Sequence, residues 1–130
     1  MLNVDFAVDL CNLSGCLSGM GRREEALVAI KQAVGIYQTL AKENPAAYNP
    51  DVAMSLNNLS NCLSHMGHGD EALQAIKQAV KMQHELTKQY PVVFKSKLIH
   101  SLKKLSKLLS KLGRQEEAQL VMQEVNSLMS

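Results

Sequence analysis

The sequence repeats itself every 46 residues, and that period restricts the fold more than any other property of the chain. NLSGCLSGMGRREEALVAIKQAV starts at Asn12 and NLSNCLSHMGHGDEALQAIKQAV at Asn58, with about half the aligned positions identical over the full unit. A more divergent copy, KLSKLLSKLGRQEEAQLVMQEVN, starts at Lys104. Gly21, Gly67 and Gly113 stand one period apart, as do Ala26, Ala72 and Ala118. A period of this size predicts stacked repeats, each a small supersecondary unit that buries its apolar face only against its neighbours.

Two helices fit within each unit. Val52, Leu56, Leu59, Leu63 and Met66 step by three and four, and Ala72, Leu73, Ile76, Ala79, Val80 and Leu86 do so after the glycine. Gly67 falls where the first helix must stop and the chain must turn, a place that favours a residue without Cβ. Asn49-Pro50-Asp51 reads as the start of the next unit: a capping side chain, proline at the first helical position, and an acid at the positive end of the helix dipole. The preceding ENPAAY then reads as loop. Ser14, Ser60 and Ser106 on the first helices and Ala26, Ala72 and Ala118 on the second supply small side chains where two backbones approach. The expected architecture is all-α: three helix-turn-helix repeats (1–46, 47–92 and 93–130), six antiparallel helices stacked as one domain.

Composition is that of a globular domain. Hydrophobic residues make up 46% and charged residues 20%, and no apolar run approaches the roughly 20 residues that span a bilayer. The N-terminal MLNVDFAVDLCNLSG has acids at Asp5 and Asp9 and no base before its apolar positions, unlike a secretory or mitochondrial leader, so a cytoplasmic location is expected. Cys11, Cys16 and Cys62 make neither a disulfide framework nor a CxxC pair. Cys16 and Cys62 are equivalent and are expected to pack between adjacent first helices. The net charge of +2 hides an asymmetry: residues 1 to 90 carry seven Lys or Arg against nine acids, and residues 91 to 130 carry seven against three. Any electrostatic partner should therefore be local to the third unit.

The pattern resembles the tetratricopeptide repeat. Leu59-Ser60, Leu63, Gly67, Ala72, Ile76 and Ala79 stand at the spacing of that family's signature positions, with Leu10, Leu56 and Leu102 in place of its tryptophan. Serine replaces its small glycine, leucine its first-helix tyrosine, and the unit exceeds the usual 34 residues. NPDVAMSLNNLSNCLSHMG is similar to the long repeats of kinesin light chains. The resemblance implies a right-handed α-solenoid, a non-enzymatic scaffold whose first helices line a concave groove for a peptide segment of a partner protein.

On the middle first helix, the side opposite Leu56, Leu59 and Leu63 carries Asn57, Asn58, Asn61, Ser64 and His65. Asparagine both donates and accepts, as the backbone of an extended peptide does, and its repeated use here has a helix-propensity cost. The third unit carries His100, Lys103, Lys104, Lys107, Ser110 and Lys111 on the same side, which favours acid in the peptide. In relatives that clamp a C-terminal carboxylate, two sites recur on successive first helices. Here they hold Cys11 and Gly15, then Asn57 and Asn61, then Lys103 and Lys107, so that at most a partial clamp is expected. The peptide-binding candidates are thus Asn57, Asn58, Asn61, His65, His100, Lys103, Lys104, Lys107 and Lys111.

SLKKLSKLLSKLG, residues 101 to 113, has the look of a membrane-surface helix, but its leucines occupy positions that are core in the other copies. Five aromatics and an acidic balance elsewhere disfavour nucleic acid. His65 and His68 lack a third metal ligand, no cofactor loop or catalytic set is evident, and GRREEA and GRQEEA are helix starts. The other expectation is a structural one: the terminal helices lack a sealing polar cap, and Val121, Val125 and Leu128 would be open to another copy, making the chain a self-associating part of a longer array.

Overall fold

The computed structural model describes residues 3–130 and contains six helices: α1 Val4–Gly19, α2 Arg23–Glu43, α3 Pro45–His65, α4 Gly69–Gln89, α5 Pro91–Lys111 and α6 Gln115–Met129. Each packs against the helices before and after it, which is the arrangement of a helical solenoid. Three pairs, α1/α2, α3/α4 and α5/α6, are the three copies of the sequence repeat.

The turn within each pair is built identically. Gly21, Gly67 and Gly113 have φ of 78°, 79° and 79°, a left-handed conformation that costs other residues roughly 1 to 2 kcal/mol. After Gly67 the His68 N–H reaches back to the Leu63 carbonyl at 2.9 Å while the Gly67 N–H bonds Ser64, satisfying the last carbonyls of α3. Gly67→Ala should therefore lower thermal stability by about 1 kcal/mol, measurable as a shift in melting temperature, because it meets open space but the wrong backbone conformation.

The repeated serines do more than keep the pair close. Ser14, Ser60 and Ser106 donate to the carbonyls of Ala26, Ala72 and Ala118 at 2.7, 2.8 and 2.9 Å. A hydroxyl buried at the closest approach thus finds its acceptor on the facing helix, where an unpaired one would be costly.

Helix starts differ from the sequence expectation. α3 begins at Pro45, capped by the Asn44 side chain, which accepts from the Ala47 N–H at 3.3 Å. ENPAAY is therefore the end of α2 at Glu43, the cap at Asn44 and the first turn of α3 instead of a loop, and Pro50 lies inside the helix, where its ring lacks the N–H that Ala46 would have accepted. The signal was present in the period: Pro45 and Pro91 are 46 apart and open α3 and α5, whereas the counterpart of Pro50 is Ser96.

The core is the apolar stripe of all six helices, with Ile30, Tyr37, Ile76, Leu98, Leu102 and Val125 among its most deeply buried members. Val125 is fully buried, and Val121 and Leu128 are partly buried against the core, so the expected open face on α6 is corrected: these side chains pack inward. Cys62 is buried, but Cys16, its counterpart on α1, is exposed.

One core position is imperfect. Gln83 on α4 is 4% exposed and its Oε1 has no hydrogen-bond partner, while its counterparts one period away are Tyr37 and Met129. Gln83→Leu should stabilise the domain by about 1 to 3 kcal/mol by removing an orphaned acceptor, checked by denaturant unfolding. No helix among the described residues is long and apolar enough to cross a membrane.

Candidate functional site

Because the repeat is in strict register, the first helices present matching rows. On α3 the row is Met54, Asn58, Asn61 and His65; on α5 it is His100, Lys104, Lys107 and Lys111; on α1 it is Val8, Asn12, Gly15 and Gly19. Steps of four, three and four keep each row on one side of its helix. His65, His100, Lys107 and Lys111 are exposed, and Asn58, Asn61 and Lys104 are half-buried. Met54 and Val8 are exposed apolar side chains in the same register, with no polar group to mark them as binding residues. The 46-residue period, applied backwards from His100, points to both.

Asn57 departs from its expected role. It is 7% exposed, its Nδ2 donates to Ser101 Oγ at 2.9 Å, and its Oδ1 lies 3.2 Å from the same hydroxyl. The amide thus ties α3 to α5 and is not free to meet a peptide. Lys103, its counterpart on α5, is exposed and stands at the same register, one turn before Lys107. Of the presumed clamp residues, Asn57 is thereby taken up inside the stack.

The electrostatics of the rows follow from burial and neighbours. His100, exposed but partly desolvated by its neighbours, is held below the usual histidine range by that desolvation, with Lys104 and Lys103 adding repulsion. It is therefore neutral near pH 7. Since the unfolded chain takes up this proton first, stability should fall as pH drops through about 6.5, and His100→Asn should flatten that part of a melting-temperature profile. Burial also lowers the Lys104 ammonium. At the other end of the rows the Asp51 carboxyl is pushed up by burial and pulled down by Lys97. Cys11 is raised by burial and then by Asp51, which makes it a poor nucleophile, and Tyr37 is pushed up to about 12 by burial, Cys11 and Asp51.

A cavity lies elsewhere. A space of about 830 Å³ opens between α2, α3 and α4, with Ala41, Val52, Leu56 and Leu86 at its apolar floor and Gln38, Gln78 and Gln89 among its rim. Val52 and Leu56 are on the side of α3 away from Asn58, so this cavity and the polar rows do not share a surface.

With six helices, tight glycine turns and packing of each helix on its neighbours in sequence, the chain is a tetratricopeptide-type helical-repeat solenoid. The tetratricopeptide repeat family model matches residues 52–87, and the model for anaphase-promoting complex subunit 5 matches residues 3–47. Among solved structures, a protein of Podosopora anserina described as a kinesin light chain with nearly identical TPR-like repeats superposes with a TM-score of 0.73 at 20% identity. That alignment covers 95% of this chain and 55% of the other, so the present chain spans about half of that relative's length. No curated protein matches the sequence. Repeats of this type generally mediate protein–protein interaction.

Proposed function

We propose that the face formed by α1, α3 and α5 is a groove that binds a peptide segment of a partner protein, with the third unit selecting acid in that segment. The observation that carries this reading is the registered pair of rows: amides and a histidine at Asn58, Asn61 and His65 beside His100, Lys104, Lys107 and Lys111. The amides offer donors and acceptors to a peptide backbone, and the lysines attract carboxylates. None of these lysines forms an ion pair among the described residues, so no internal acid competes for them. Met54 and Val8 add apolar contact in the same register, and Gly15 and Gly19 leave open space above α1. Asn57, bound to Ser101, has no free amide to offer this groove.

Exposed lysine–carboxylate pairs contribute only about 0.2 to 1 kcal/mol each, so amide and apolar contacts must supply most of the affinity. The test is fluorescence anisotropy with a labelled peptide of alternating Asp and Leu against one of alternating Lys and Leu. Saturable, salt-weakened binding of the first only supports the reading; equal binding of both contradicts it.

A further inference from the structure

The two ends of the stack are charged in opposite senses at one register position, and from this we infer that the chain assembles head to tail with other copies of itself, continuing its own solenoid. The joints inside the molecule show what such contacts look like. Between the second and third units Asn57 of α3 meets Ser101 of α5, and between the first and second Ser14 of α1 lies 3.8 Å from Cys62 of α3. Each joint presents one set of positions on the leading face and another on the trailing face.

The leading face of the first unit has the side chains of an internal joint without its cover. Phe6, Leu13, Cys16 and Met20 are all exposed, while of their counterparts Val52, Leu98, Leu105, Cys62 and Leu108 are buried and Leu59, Met66 and Leu112 partly buried. In the middle of this apolar face stands Asp9, where the internal units have the fully buried Ser55 and Ser101. On the trailing face of the third unit, Ser106 repeats Ser14, and Lys103 stands where Asn57 does. Stacking a second copy by the internal geometry sets its Cys16 against Ser106, the same residue types as the Ser14–Cys62 contact. It also sets its Asp9 opposite Lys103, the place where Asn57 meets Ser101. Neither Asp9 nor Lys103 forms an ion pair within the described residues.

A head-to-head dimer through the apolar leading faces would place Asp9 on both sides of the contact, which charge opposes. The head-to-tail joint is heterologous and does not close, so mass should grow with concentration. It is weaker than an internal joint, because Gln119 and Asn126 border a shallow 360 Å³ groove on the trailing face where Leu73 and Val80 stand in the second unit. Assembly is therefore reversible and salt-sensitive.

This inference is independent of the peptide reading, and sedimentation velocity of the full chain across concentration at low salt tests it. Wild type should show a sedimentation coefficient that rises continuously with concentration. Asp9→Lys alone and Lys103→Asp alone should each remain monomeric, with unchanged helical circular dichroism, and an equimolar mixture of the two should assemble as wild type does. A wild type that stays monomeric, a plateau at dimer, or single variants that assemble like wild type would overturn it.

Discussion

Leu102→Ala is expected to lower the unfolding free energy by about 2 to 5 kcal/mol, a large share of the stability of a domain this size. Leu102 is 1% exposed, lies in the middle of α5 and belongs to the same buried cluster as Leu98, Leu105 and Leu109. Removing it leaves a void that α3, α4 and α6 can only partly fill, since each is fixed by its own turn and serine bond. The substitution also decides how SLKKLSKLLSKLG is to be understood. A membrane-surface helix would present these leucines to lipid, and their truncation would leave the folded chain nearly unchanged. Denaturant unfolding monitored by circular dichroism separates the two, with a midpoint close to wild type contradicting the core assignment.

The second large effect concerns recognition. Lys104→Glu, Lys107→Glu and Lys111→Glu made together should weaken capture of the Asp/Leu peptide by roughly 10- to 100-fold, about 1.4 to 3 kcal/mol, while leaving the melting temperature within a few degrees. Lys107 and Lys111 are exposed and Lys104 half-buried, so reversal swaps attraction for repulsion without emptying the core. Lys103→Glu is the comparison: it stands at the position where Asn57 turns into the stack, and it should alter peptide affinity by less than the three row substitutions together. Because screening acts over about 8 Å at physiological ionic strength, the difference between wild type and the triple variant should shrink as salt is raised.

How much of this was legible beforehand depends on the range of the interaction involved. The period, the helix pairs, the glycine turns and the small residues at the close approach are local or strictly repeated, and one sequence contains them. The start of α3 was misplaced because Asn49-Pro50-Asp51 has the chemistry of a helix start, and only comparison of Pro45 with Pro91 shows which proline opens the helix. Asn57 shows the other kind of failure. Its spacing puts it near the amide row, but whether an asparagine faces solvent or a neighbouring helix depends on where α5 lies, and its partner Ser101 is 44 positions away. Val125 was misassigned for a similar reason: an apolar residue near the end of a repeat looks uncovered until the packing of α6 on α5 is known. Asp9 and Lys103 were visible as charges, but their meaning as the two halves of one joint appears only once Asn57 and Ser101 are seen to meet.

The central claim is that the α1, α3 and α5 face holds the peptide, and amide chemical-shift mapping during titration with the Asp/Leu peptide addresses it most directly. Saturable shifts should concentrate at Asn58, Asn61, His65, Lys104, Lys107 and Lys111, with Gln38, Lys42, Gln78 and Lys81 around the 830 Å³ cavity unmoved. Shifts centred on that cavity, or none along the lysine row, would contradict it.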